Sequence, residues 1–111
     1  MARIALDAMG GDYAPDAAIA GALHAIVELA SEHTLQLVGP ATLIRERVSA
    51  LATGELANAA AHAERIEFID APDVIEMSDK PTAALRSKPN SSMVVGLRLQ
   101  TEGRSDAFIS A

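Results

Sequence analysis

Two stretches of the sequence combine residue types suited to holding an anion. The first is Asp7-Ala8-Met9-Gly10-Gly11-Asp12. Adjacent glycines reach backbone conformations closed to residues with a Cβ and let a ligand come close to the main chain. Their N–H groups, with the start of a following helix, make a donor set that fits phosphate. The same six residues also read as a plain tight turn, in which Asp7 and Asp12 organise the loop by accepting backbone hydrogen bonds. Mg²⁺ binding is a further reading, but two carboxylates in a loop are a thin donor set for it. The dinucleotide pattern G-x-G-x-x-G is absent, and no Gly-Lys-Ser/Thr makes this a nucleotide P-loop. The second stretch, Lys88-Pro89-Asn90-Ser91-Ser92, places an ammonium and two hydroxyls at a helix start, where negative charge is favoured. A capped helix beside an exposed lysine accounts for the same residues. Ser110 closes the final strand, at the edge where open α/β sheets build their sites. The candidates for a substrate or phosphate site are therefore Gly10, Gly11, Lys88, Ser91, Ser92 and Ser110, with Asp7 and Asp12 as loop organisers. No residue is assigned as catalytic and none as a metal ligand. His24, His33 and His62 lack metal-ligand spacing and a paired acid, so surface positions are expected for them, and packing roles for Met9 and Met77.

These residues need a scaffold that brings strand ends together. Ile4-Ala5-Leu6 is a short apolar run of the kind found in buried parallel strands. Pro15 opens an amphipathic helix over residues 15–31, with Ile19, Leu23, Ile26, Val27 and Ala30 on one face and Asp16, His24, Glu28 and Glu32 on the other. Leu35–Val38 predicts a second strand, and Pro40 a second helix with Leu43, Ile44, Val48 and Leu51 toward the sheet. Thr53-Gly54 interrupts that helix, and residues 55–63 are alanine-rich and helical without a clear register. Ile66–Ile69 predicts a third strand. Asp70–Lys80 reads as a loop with a short extended piece at Val74-Ile75, and Pro81 starts a short helix. Asn90 or Ser91 caps a helix over Ser92–Glu102 that stops at Gly103. Its apolar residues Met93, Val94, Val95, Leu97 and Leu99 spread around the helix, which predicts burial on two sides. Residues 106–110 make a fourth strand. The order β-α-β-α-β-α-β predicts an α/β fold, a parallel sheet with helices on both faces.

The chain has 111 residues, half of them apolar, with many alanines and with Tyr13, Phe68 and Phe108 as its aromatics. Alanine buries little area, so the core must be closely packed helix on sheet and marginal in stability. A net charge of -6 without a basic block argues against nucleic acid as a partner. The absence of cysteine excludes a disulfide framework and a thiolate nucleophile in this segment. No stretch has the apolar length of a membrane span, and no leader pattern opens the chain, which leads to the expectation of a soluble cytoplasmic protein.

Arg3-Ile4-Ala5-Leu6-Asp7-Ala8-Met9-Gly10-Gly11-Asp12, followed by Ala14-Pro15, resembles the start of the bacterial phosphate acyltransferase PlsX family. Val74-Ile75-Glu76-Met77, Lys88-Pro89-Asn90-Ser91-Ser92-Met93 and Gly103 through Ser110-Ala111 resemble later segments of that family in order. Tyr13 stands where histidine is common, and Ser78-Asp79-Lys80-Pro81 replaces an acidic-serine run. The resemblance covers about the first third of a family member. It implies that residues 1–111 are the N-terminal segment of a single larger α/β catalytic domain, inactive alone. The fold it implies is a three-layer α/β/α Rossmann-like sheet like those of isopropylmalate dehydrogenase and phosphotransacetylase. The reaction it implies is transfer of a fatty acyl group from acyl carrier protein to inorganic phosphate. The acyl phosphate then serves phospholipid synthesis through a membrane glycerol-3-phosphate acyltransferase. A homodimer, peripheral association with the inner face of the membrane and no cofactor or essential metal are implied as well. Two rivals are a small α/β ligand- or protein-binding module, which lacks a receiver-type aspartate and lysine set, and a nucleotide-dependent dehydrogenase or kinase, which lacks its fingerprint.

Overall fold

The computed structural model of the chain describes residues 1–11, 13–75 and 79–110, excluding the side chains of Glu55, Pro81, Ala84 and Leu85. Asp12, Glu76, Met77, Ser78 and Ala111 lie outside the described residues, and with them the expectations placed on Asp12 and Met77. Four strands, β1 (Arg3–Asp7), β2 (Thr34–Gly39), β3 (Ile66–Asp70) and β4 (Ala107–Ile109), form a parallel sheet in the order β3-β2-β1-β4. The helices are α1 (Asp16–Glu28), α2 (Ala41–Leu51), α3 (Pro81–Ser87) and α4 (Ser92–Thr101). A 3₁₀ segment, Gly54–Arg65, connects α2 to β3.

Strand side chains alternate between the two faces. Ile4, Leu6, Leu35, Leu37, Ile66 and Phe68 meet Ile19, Leu23 and Ile26 of α1 and Ile44 and Val48 of α2 in the larger core. Ala5, Val38, Ile69 and Phe108 meet Val95 and Leu99 of α4 on the opposite face. The arrangement is three-layered and Rossmann-like. Within the described residues α4 meets the sheet through Val95 and Leu99, and Leu97 is half exposed.

Several ends are fixed by long-range polar contacts. α1 has no basic residue in its own last turn, and Arg65 supplies the positive charge from outside. Its guanidinium donates to the carbonyls of Ile26 and Leu29, which have no intrahelical partner where a helix stops, and to that of Ala30 just beyond it. Arg47 of α2 makes a two-pronged contact with Asp16 at the start of α1, both bonds 2.8 Å. The Arg47 hydrogen bonds hold the Asp16 carboxyl below the usual carboxylate range, against a smaller opposing effect of burial. On the α4 face the buried amide of Gln36 is satisfied by the Arg104 carbonyl and the Ser105 hydroxyl, which pins the turn before β4. His33, expected at the surface, is half-buried and its Nδ1 accepts from the Ala2 N–H at 3.0 Å.

Candidate functional site at the carboxyl edge of the sheet

From β1 the sheet grows through β2 to β3, and the chain then returns to place β4 on the other side of β1. The direction of growth reverses between β1 and β4, and the crevice at the carboxyl ends of two such strands is where open α/β sheets bind ligands. Asp7 is the last residue of β1 and Ser110 directly follows β4.

Asp7 is only 5% exposed and accepts three hydrogen bonds. Ser92, the first residue of α4, donates its hydroxyl to Oδ1, which also accepts the Met9 N–H at 3.0 Å. Ser110 donates its hydroxyl to Oδ2 at 2.8 Å. One carboxylate thus ties together the ends of β1 and β4, the start of α4 and the first residues of the glycine loop. Of these three donors, the Met9 N–H belongs to the loop that follows β1. A serine hydroxyl has a single proton, so Ser92 and Ser110 face any ligand with lone pairs while these bonds persist.

The loop after Asp7 turns tightly, with the Gly10 N–H donating to the Asp7 carbonyl at 3.3 Å. Gly11 has φ +87°, a left-handed conformation that side chains with a Cβ rarely adopt. Gly10, Gly11, Asp7 and Ser110 line one groove of about 510 Å³, so the structure joins four of the sequence candidates in a single cavity. Ser91 and Lys88 take other positions. The Ser91 side chain caps α4 by accepting from the Val94 N–H at 3.4 Å. Lys88 donates to the Val74 carbonyl and to Asp79 Oδ2, each at 2.6 Å, and so links the loop before α3 to the loop after it. The Asp73 N–H donates to the Asn90 carbonyl, and Asp73 forms an isolated parallel bridge with Ser91. The segment 88–92 is therefore fastened to Asp73, Val74 and Asp79.

The groove also includes residues that site-directed reading of the sequence passed over. Leu6, Ile109, Tyr13, Ala17, Ala18, Gly21, Ala22 and Ala25 complete its lining. For Ala17, Ala18, Gly21, Ala22 and Ala25 the signal was the spacing of small residues along one side of α1, hidden by a composition rich in alanine. Among the described residues no three His, Asp or Glu side chains converge as a metal site. No described helix is long and apolar enough to cross a membrane.

A three-layer parallel fold with a polar junction at its switch point defines an α/β ligand-binding class, many of whose members are enzymes. Residues 2–111 match the model of the family described as "Fatty acid synthesis protein", and the chain belongs to that family, that of the PlsX-type phosphate acyltransferases. It is 46% identical over 109 residues to the phosphate acyltransferase of Koribacter versatilis, covering 97% of this chain and 28% of that protein. It is 40% identical over 109 residues to the phosphate acyltransferase of Salinibacter ruber, covering 98% of this chain and 30% of that protein. The Pseudomonas syringae phosphate acyltransferase is 42% identical over 108 residues, 97% of this chain and 29% of its own. The chain thus spans less than a third of the length of the curated relatives it matches.

Proposed function

We propose that residues 1–111 form the first wall of a phosphate acyltransferase site, and that the intact enzyme moves a fatty acyl group from acyl carrier protein to inorganic phosphate. A phosphate oxygen attacks the thioester carbonyl carbon, the C–O bond forms as the C–S bond breaks, and the carrier thiolate leaves and takes a proton. Such a reaction needs no covalent nucleophile from the protein. It needs phosphate held in line, water kept out and charge on the carbonyl oxygen stabilised. The observation that carries this reading is the junction at Asp7, which fixes the glycine loop beside the ends of β1 and β4 in a chain of this family.

In this reading Gly10 and Gly11 let phosphate or the thioester approach the backbone, and Asp7 holds the loop in shape. Ser91 holds the α4 start. The Lys88 ammonium is engaged by Asp79 and Val74, so its part is to hold those two residues to the segment before α4 rather than to meet phosphate. The likeness to isopropylmalate dehydrogenase and phosphotransacetylase, the homodimer, acyl carrier protein docking and peripheral membrane association belong to the same proposal.

The test joins this chain to the remaining length of the Salinibacter ruber relative and measures acyl phosphate formed from acyl carrier protein and phosphate. The joined protein is expected to be active and the 111-residue chain alone inactive. A folded joined protein that makes no acyl phosphate overturns the proposal, as does equal specific activity of the two.

A further inference from the structure

We infer that Asp7, acting through Ser110, makes the site select an oxyanion that carries a proton, hydrogen phosphate, over one that carries none, sulfate. The inference rests on the phosphate acyltransferase reading and adds to it the residue pair that tells the two anions apart. Sulfate and phosphate are alike in size and tetrahedral shape, so packing alone cannot separate them. They differ in one group: at neutral pH phosphate keeps a P–OH, and sulfate has acceptor oxygens only. A site that separates them must therefore present an acceptor where that proton lies.

The polar end of the groove presents such an acceptor. Asp7 is buried at the end of β1, and its Oδ2 takes the Ser110 hydroxyl proton at 2.8 Å. An ionised carboxylate only accepts, and the Met9 N–H, which only donates, bonds to Oδ1. Ser92 donates to the same oxygen, so turning the carboxylate away from Ser110 would break both of those bonds. The Ser110 proton is thereby committed to Asp7, and Ser110 Oγ offers a ligand lone pairs alone. Ser110 and Asp7 line the groove with Gly10 and Gly11, and Asp7 is the one charged group among the described lining residues. A fully deprotonated oxyanion meets lone pairs and a carboxylate there, with no proton between them. Hydrogen phosphate sets its P–OH on Ser110 Oγ and turns that contact into a hydrogen bond. The proton stays on phosphate, and the other oxygens are left for the thioester carbonyl. A bond of this kind to a charged group corresponds to roughly ten- to hundredfold in affinity.

Titration calorimetry of the joined protein with sodium phosphate, arsenate and sulfate tests this without any turnover. Arsenate keeps an As–OH at neutral pH and should bind within about threefold of phosphate, whereas sulfate should bind roughly tenfold or more weakly. Sulfate binding as tightly as phosphate overturns the inference, as does failure of all of these anions to bind. Asp7→Asn supplies the reversal. Its NH₂ donates to Ser110 Oγ, the hydroxyl proton turns to the groove, and sulfate should gain about tenfold relative to phosphate. Ser110→Ala leaves Asp7 in place and should narrow the preference by about tenfold as well, which decides the matter if Asp7→Asn does not fold. A purely structural role for either residue would weaken both anions alike. An unchanged phosphate-to-sulfate ratio in a variant that melts like the parent therefore overturns the inference. Selection in a joined protein that forms no acyl phosphate leaves the inference standing and removes the proposed reaction. Acyl phosphate formed without selection does the opposite.

Discussion

Asp7 holds its surroundings through three acceptor contacts, and its substitutions separate hydrogen-bond count from charge. Asp7→Ala leaves the Met9 N–H and the Ser92 and Ser110 hydroxyls without their partner, and the expected loss is about 3 kcal/mol in denaturant unfolding. Asp7→Asn keeps an acceptor for Ser92 and Met9, and its NH₂ can donate to Ser110 once that hydroxyl turns, so about 1 kcal/mol is expected. Equal losses for the two variants would show that the charge, not the bond count, holds the junction. Lys88→Ala should cost about 1–2 kcal/mol, because its bonds to Val74 and Asp79 are short and partly buried. It should leave the KM for phosphate unchanged in the joined enzyme, and a tenfold rise in that KM would return Lys88 to the phosphate site. At this scale the sequence revealed which residue types were present but not how they pair. Asp7, Ser92 and Ser110 were all legible as candidates, whereas their meeting depends on a strand order that local pattern does not encode. Lys88 looked available because nothing in its neighbourhood in sequence announces Asp79 as its partner.

Two glycines on two helices make opposite predictions. Gly96 of α4 lies against Phe108 of β4, and a Cβ there would come within 2.1 Å of the ring. Gly96→Ala is expected to lower stability by about 1–3 kcal/mol despite the gain in helix propensity. Shrinking the ring with Phe108→Leu should relieve part of that loss, read as less-than-additive energies in a double-mutant cycle. Gly21→Ala meets open space and should raise stability by about 0.5–1 kcal/mol. The contact between α1 and α2 carries a pH signature. The Asp16 carboxyl is lowered by its hydrogen bonds from Arg47, so its contribution is present above the ordinary carboxylate range and fades as pH falls through the lowered value. The stability difference between the parent and Arg47→Ala should therefore shrink on acidification, and a difference that grows at low pH would contradict it. The elements themselves were legible from periodicity and from Pro15, Pro40, Ser91 and Gly103. Their ends moved by a few residues: α1 stops at Glu28 rather than residue 31, where Arg65 meets its last carbonyls. That cap arrives from 36 positions away and has no local signal.

For the whole molecule, apolar strands separated by helices were enough to foresee four parallel strands with helices on both faces. The order β3-β2-β1-β4 was not foreseeable from local pattern, since it depends on where the long return after β3 sets down β4. That order decides where the candidate site falls, because it places the reversal of sheet growth at the end of β1. Among the described residues Ile109 lies on the α1 face of β4 and is half exposed. Fold class could be read from repeated local signals, whereas the cavity comes from contacts between distant parts of the chain.

The partners of Asp7 are also separated in time. A ribosome makes the chain from its amino end, and Asp7 emerges with only Met9 at hand. Ser92 follows 85 residues later and Ser110 103 residues later. β1 can pair with β2 early, but its other edge and its buried carboxylate wait for the last strand. Contacts of such sequence separation form late because their closure entropy is met before any reward. The pocket is therefore expected to take shape after β1 and β2 have paired, and a nascent chain halted before residue 92 lacks two of the three donors to Asp7.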